Sequence, residues 1–244
     1  MNHIDYFYFP EINDLQKIDL IYQEKLSKNI INHFKSKRIK KSQLLALTDG
    51  KGKIFVYNCL KTTPFYCLKL EQTKEQEKPR ELELVLSPPI GKSFYDCIQN
   101  ATEVGFNKII LFKSKLSQWP KGKDFNKEKI NHAIIRALEQ SSRAWIPKVL
   151  IFENIQECIS NEYTNLVCDE NLINSESNNF FETSLPIRVF IGPEGGWDSK
   201  EVSYFKKSSL NSIKLNSYIL RTQNAITAAC ILVKEKLKQN NEPC

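Results

Sequence analysis

The chain has 244 residues, enough for one large or two modest hydrophobic cores, and no apolar run long enough to cross a membrane. Lys and Arg number 35 against 28 Asp and Glu, a net charge of +7 that pulls mildly towards polyanions. Seven scattered cysteines with no C-x-x-C pair, and three widely separated histidines, argue against a disulfide framework or a metal site; with no secretory pattern in Met1 to Pro10, a reducing cytoplasm is expected.

The first 70 residues show helical periodicity only from Leu15 to Leu26. Short apolar runs follow: Leu44 to Leu47, Ile54 to Tyr57 and Phe65 to Leu70. Asp49-Gly50-Lys51-Gly52 lies between two of them and predicts a hairpin. This part reads as a small β-rich domain, a candidate barrel. It holds twelve basic and six acidic residues, most of the chain's excess charge. From Lys28 to Lys41 six basic residues (Lys28, Lys35, Lys37, Arg38, Lys40 and Lys41) stand without an acidic one, with His33 and Phe34 among them. Such a patch is the usual footprint of phosphate neutralisation; the alternative is a solvated lysine-rich surface.

Residues 71–81 are polar without apolar periodicity and mark a linker. The boundaries expected are 1–73 for the β-rich domain, 74–81 for the linker and 82–244 for a second domain.

Beyond the linker the texture changes. Leu82, Leu84 and Leu86 alternate as in a half-buried strand. Cys97, Ile98, Ala101 and Val104 share one helical face, and Gly105 stands where a helix ends. Lys108 to Phe112 is a strand, Ile130 to Ser141 a helix stopped before Pro147, and Val149 to Phe152 a strand. A short helix comes next, then the apolar run Leu166-Val167-Cys168 and a polar loop from Asn171 to Ser184. The strand Ile187 to Ile191 leads to Gly192-Pro193-Glu194-Gly195-Gly196-Trp197-Asp198. Asp198 and Glu201 form a capping-box start for another helix. Ile213-Lys214-Leu215 is a last strand, and Thr222 to about Lys236 a last helix. Strands alternating with helices at this spacing predict an α/β domain with a mostly parallel sheet.

The glycine turn joins a buried strand to a helix start and offers backbone N–H groups unobstructed by side chains. Glu194, taken as buried, sits in its middle. The spacing fits neither a P-loop nor a dinucleotide fingerprint nor a nucleophile elbow. What remains is a glycine-lined crevice at the carboxyl ends of parallel strands. A second loop, Leu215 to Thr222, belongs to the same edge. Arg221 there is a cation beside a helix N-terminus, the unfavourable end, which points to an anionic partner or to a nearby carboxylate.

Taken together, the motifs resemble one family. Gly192-Pro193-Glu194-Gly195-Gly196-Trp197 with Glu201-Val202 is similar to GPEGG(F/W)…EV. Ile219-Leu220-Arg221-Thr222 with Ala225 resembles L-G-x-R-I-L-R-x-E-T-A. Ala101 to Gly105 resembles A-T-E-L-G, and Glu139-Gln140-Ser141-Ser142-Arg143 with Pro147 resembles E-Q-S-x-R…P. In that order they resemble the RsmE family of ribosomal RNA small-subunit methyltransferases.

The resemblance implies a SPOUT-type α/β domain with a trefoil knot, preceded by a PUA-like RNA-binding barrel. It implies S-adenosylmethionine as methyl donor, N3 of a 16S rRNA uridine in the small ribosomal subunit as acceptor, no metal, and a homodimer. The donor pocket would be lined by Gly192, Pro193, Glu194, Gly195 and Gly196, by the backbones of Leu215, Ile219 and Leu220, and closed by Thr222 and Ala225. Arg221 would stabilise the uracil anion; Glu194 would act as base, position the donor, or hold its own turn. Lys35, Lys37, Arg38, Lys40, Lys41 and Arg143 would meet RNA. The chain departs from the family pattern at Asn216 (for Gly), Tyr218 (for Arg), Gln223 (for Glu), Asn224 (for Thr) and Asn100 (for Lys). An alternative of another class is a catalytically weak or inactive rRNA-binding or ribosome-assembly protein of the same fold.

Overall fold

The structure, a computed structural model, describes residues 4–15, 19–119, 125–169, 185–208 and 210–239. The chain divides into two compact units: Met1–Lys78 with Leu138–Ile146, and Pro79–Ala137 with Pro147–Cys244. The polar loop Asn171 to Ser184 lies outside the described residues.

In the first unit, β1 (Asp5–Tyr8), β2 (Leu20–Tyr22), α1 (Lys28–Ser36), β3 (Leu44–Thr48), β4 (Lys53–Lys61) and β5 (Cys67–Glu75) follow one another. The sheet runs β1-β3-β4-β5-β2. The first pair is parallel and the others antiparallel. The expected hairpin is β3–β4. Asp49 Oδ1 accepts the backbone N–H groups of Lys51 (2.7 Å) and Lys53 (3.2 Å), while Gly50 and Gly52 take φ of 74° and 105°.

Two expectations fail here. Leu15 to Leu26 contains no described α-helix; 3₁₀ turns at Pro10–Leu15 and Gln23–Lys25 flank β2. Only Ile21 of β2 is buried while Leu20 and Tyr22 face out, so the period is two. The basic run instead begins in α1. Ser27 caps this helix, its hydroxyl accepting from the Ile30 N–H at 3.4 Å, and Ile30 and Phe34 bury one face. The polar stretch after residue 70 begins inside β5, which runs to Glu75 with exposed side chains from Glu71 on.

Residues 138–146 complete this unit. The Trp145 ring lies against Gly52, where a Cβ would come within 2.6 Å of it, and Trp145 Nε1 donates to Gln76 O at 2.9 Å. Glu139 Oε1 accepts the Tyr8 N–H at 3.0 Å and stands 3.5 Å from His33 Nδ1. Burial pushes the Glu139 carboxyl from 4.5 up to about 7, against the lowering pull of the Tyr8 N–H and of Lys37.

The second unit contains β6 (Leu82–Leu86), α2 (Lys92–Val104), β7 (Lys108–Phe112), α3 (Lys127–Ser141), β8 (Lys148–Phe152), α4 (Ile155–Cys158), β9 (Thr164–Cys168), β10 (Ile187–Ile191), α5 (Ser199–Lys207), β11 (Asn211–Ile213) and α6 (Thr222–Gln239). The last turn of α3 falls in the first unit. The sheet order is β11-β9-β10-β6-β7-β8 and every pair is parallel. This is the expected α/β architecture. The expected half-burial of β6 is corrected: all five residues of β6 and of β10 are buried. A central parallel strand is covered on both faces, so its apolar run is nearly continuous.

The exceptions are charged. Glu83 is fully buried in β6, facing Lys108 of β7 and Arg188 of β10. Arg188 Nε donates to Glu83 Oε2 at 2.7 Å and Nη1 to Cys158 O at 2.6 Å, and the guanidinium lies over the Tyr163 ring at 3.8 Å. The expected glycine stop after α2 is Gly105, at φ 112°. The C-terminal carbonyl of α2, on Val104, also accepts from Lys234 Nζ at 2.9 Å.

The Glu139 carboxyl gives a test of the first unit. Its folded value lies above its ordinary one, so its stabilising contribution is complete below about pH 4.5 and is lost as pH rises towards about 7. Glu139→Gln keeps an acceptor for Tyr8 and removes the titration. In melting experiments the variant's stability relative to wild type is expected to grow from about pH 5 to about pH 8; a constant difference would contradict the assignment.

Candidate active site

The cleft lies at the carboxyl ends of β6, β9, β10 and β11, where open parallel sheets bind ligands. Its volume is about 940 Å³, at the upper end of the range for small-molecule sites. The glycine loop Gly192 to Gly196 forms one wall, and Leu215, Ile219, Leu220, Arg221, Thr222 and Ala225 form another. Each residue expected in the donor pocket, Pro193 and Glu194 included, thus lines a single cavity with Arg221.

The glycine loop is built from its neighbours. Trp197 stacks on Phe112 with centroids 6.0 Å apart and meets Phe205 edge-on at 4.8 Å. The indole leaves no room beside Gly192, where a Cβ would sit 2.9 Å from Trp197 Cε2. Gly196 takes φ 75°, and its N–H donates to Pro193 O at 2.9 Å. That donor is spent inside the turn, so the loop offers fewer free N–H groups than its composition suggests.

Asp198 and Glu201 form the expected capping box at the start of α5. Glu201 does more than cap. This buried carboxylate accepts from Ser114 Oγ (3.0 Å), Lys115 N (3.1 Å) and Asp198 N (2.9 Å). It ties the segment after β7 to the helix that follows the glycine loop.

Charges ring the cleft. Asp96 of α2, Asp169 after β9 and Glu194 line it, with Lys214 and Arg221 opposite in sign. The sequence motifs singled out neither Asp96 nor Asp169. Asp96 stands beside Cys97, and its acceptor role emerges only when α6 brings the Gln223 Nε2 donor to within 3.4 Å of Asp96 Oδ2. Burial, then Asp96 and Glu194, push the Cys97 thiol up to about 12, so it stays protonated.

Two expectations change. Glu194 is exposed, not buried, because it occupies the tip of its turn. Asn216, where the family pattern has Gly, accepts the Ser217 N–H on its side-chain oxygen at 2.7 Å. The strand before it ends at Ile213. Arg221 is exposed where α6 begins, its carbonyl accepting the Ala225 N–H at 2.9 Å, and no carboxylate among the described residues pairs with it. Of the two readings of that cation, the paired one finds no support among these residues.

The basic residues lie in the other unit. Lys35, Lys37, Arg38, Lys40 and Lys41 are all exposed, on the end of α1 and the turn beyond, where Arg38 takes φ 54°. Arg143 is half-buried, and its N–H donates to Leu138 O at 3.0 Å.

Residues 76–234 match the model of the RNA methyltransferase domain family. The chain belongs to this family. Among its relatives is the ribosomal RNA small subunit methyltransferase E of Mesomycoplasma hyopneumoniae, 28% identical over 224 residues that cover 85% of this chain and 91% of the relative. The protein of the same name from Buchnera aphidicola is 29% identical and covers 94% of each chain. The crystal structure of the Neisseria gonorrhoeae ribosomal RNA small subunit methyltransferase E, bound to S-adenosyl methionine, shares the fold at a TM-score of 0.79, with 24% identity over 96% of this chain and 98% of that one. The RsmE resemblance read from the motifs is borne out by these RNA methyltransferase relatives. Among the described residues no group of side chains suits a metal ion, and no helix is long and apolar enough to cross a membrane.

The three glycines make separable demands. Gly192→Ala forces Trp197 off its stack and is expected to cost about 1–3 kcal/mol. Gly196→Ala meets open space but carries the left-handed strain of about 1–2 kcal/mol. Gly195→Ala, whose Cβ would meet Leu116 at 3.4 Å, is expected to unfold close to wild type in denaturant. A Gly195 variant as weak as Gly192→Ala would contradict this account of the loop.

Proposed function

We propose that this chain is an S-adenosylmethionine-dependent methyltransferase that modifies N3 of a uridine in 16S rRNA of the small ribosomal subunit. The observation that carries the reading is Arg221: an exposed cation at the mouth of the family's glycine-lined cleft, without a described carboxylate partner. The names of the relatives support the rRNA substrate. The motif resemblance supports uridine N3, a trefoil-knotted path for the second unit, a PUA-like role for the first and a homodimer; the odd number of scattered cysteines supports a cytoplasmic location.

The cleft suits the donor. Ile191, Leu215, Leu220 and Ala225 offer an apolar wall for adenine, while Asp96, Asp169 and Glu194 offer carboxylates to a molecule carrying ammonium and sulfonium charges. When bound, S-adenosylmethionine supplies an electrophilic methyl group on a sulfonium sulfur. The chain's residues have the other tasks. N3 of uracil bears a proton and is a poor nucleophile until it leaves. Arg221 stabilises the anion spread over the uracil oxygens, as an oxyanion hole does. Glu194, at the tip of the glycine loop, takes the N3 proton or holds the donor's cationic end. The glycine loop, braced by Trp197 and Glu201, fixes the approach. Lys35, Lys37, Arg38, Lys40 and Lys41 neutralise phosphates, and Arg143 supports that surface.

Purified protein, labelled donor and an unmethylated 16S transcript or small subunit test this. Arg221→Ala is expected to lower kcat by about 10²–10³ while calorimetric donor affinity stays at the wild-type value. Glu194→Gln separates its two roles: a base loses kcat with donor affinity kept, whereas a donor-positioning residue loses affinity. Wild-type protein that binds the rRNA and no donor would overturn the enzymatic reading in favour of an rRNA-binding assembly protein.

A further inference from the structure

Two of the most exposed large apolar side chains in the described residues stand next to each other at the cleft. Tyr218 is 80% exposed and Ile219 is 90% exposed, yet both line the cavity. Large apolar side chains gain from leaving water, so two of them left uncovered side by side at a binding site mark a surface that a partner covers. The loop is not slack: the Asn216 side chain holds the Ser217 N–H, and α6 begins at Thr222.

We propose that the Tyr218 ring is the platform on which the nucleobase drawn into the cleft stacks. The inference rests on the reading of the cleft as an RNA-methylating site, and adds the residue that receives the base. A base whose N3 is to be alkylated must leave its own stack, and loses stacking energy in doing so. An aromatic ring at the cavity mouth returns that energy whatever the base identity. Tyr218 lies three residues before Arg221 on the same loop, so one short segment presents both a flat apolar face and the cation that meets the uracil oxygens. No ring of the protein packs on Tyr218 among the described aromatic contacts, which leaves its faces for a ligand. The family motif carries arginine at this position. An arginine there attracts phosphate and base together and is screened by salt; a tyrosine keeps the stacking and drops the charge. In this chain the long-range attraction then falls to the basic residues of the first unit.

The test compares Tyr218→Ala, Tyr218→Phe and Tyr218→Arg in the full chain. The readouts are methyl transfer to unmodified small subunits, binding of a fluorescent 16S fragment, calorimetric affinity for S-adenosylmethionine, and sedimentation. Tyr218→Ala is expected to raise the KM for RNA, and the Kd of the fragment, by about tenfold. Tyr218→Phe should stay close to wild type. Tyr218→Arg should bind at low salt and lose affinity more steeply than wild type as salt rises. Donor affinity and sedimentation should not change in any of the three.

A Phe variant as weak as the Ala variant would show that the hydroxyl, not the ring face, matters, and would overturn the proposal. So would an Ala variant with unchanged RNA affinity. Loss of donor affinity would make Tyr218 a wall of the donor pocket, and a change in sedimentation would make it a subunit contact; either result also overturns it. If wild type methylates the subunit while the Ala variant does so equally well, only the stacking proposal fails. If wild type neither methylates nor binds the RNA, the proposed function fails and the stacking proposal with it.

Discussion

The second unit depends on one buried carboxylate. Central strands covered on both faces have lost the polar alternation that ordinarily sets register, because apolar side chains face either way. In β6, β7 and β10 Glu83 supplies what is missing. Its register partners are Arg188 on one side and Lys108 on the other, and both carry the charge it needs. A slip of one residue against β10 would set the buried carboxylate opposite Ile187 or Val189, at the cost of an unpaired charge in the core. The cluster lies near the amino ends of these strands. The opposite ends, from which the cleft loops leave, are thereby placed by charge pairing at the far edge of the sheet.

At the carboxyl ends a second carboxylate takes over. Glu201 joins Ser114 and Lys115 to the start of α5, and Trp197 wedges between Gly192 and the core. Ser87, just after β6, donates its N–H to Ile191 O at 3.1 Å and closes the gap between the two central strands. The glycine wall is therefore braced from behind. The facing loop, Asn216 to Arg221, is exposed over most of its length. The cleft has a braced half, suited to an invariant small molecule, and an exposed half, suited to a large partner that brings its own surface.

Much of this was legible in the sequence because the signals were local. The Asp198–Glu201 capping box, the Asp-Gly hairpin and the glycine stop at 105 each act within a few residues, and each stands where the pattern placed it. The motifs at 192–197 and 219–225 lie far apart in sequence, and it was their shared position after strands that brought them to one cleft. Other features were hidden by long-range effects. Helix α1 was masked by its own charges, although Ser27, Ile30 and Phe34 carried the helical signal. The burial of Glu83 depends on partners 25 and 105 residues away. The return of residues 138–146 to the first unit follows from Gly52 accommodating an indole, which no local pattern states. Glu194 looked buried because its neighbours are apolar or glycine, but a residue at the tip of a turn faces solvent.

The proposed reaction, methylation of a ribosomal RNA uridine, takes place in the cleft with Arg221 at its mouth. Mass spectrometry of 16S rRNA nucleosides from cells with and without this gene tests it most directly. The account predicts that 3-methyluridine disappears on deletion, returns with the wild-type gene, and stays absent when the gene carries Arg221→Ala. Unchanged 3-methyluridine in the deletion strain would contradict it.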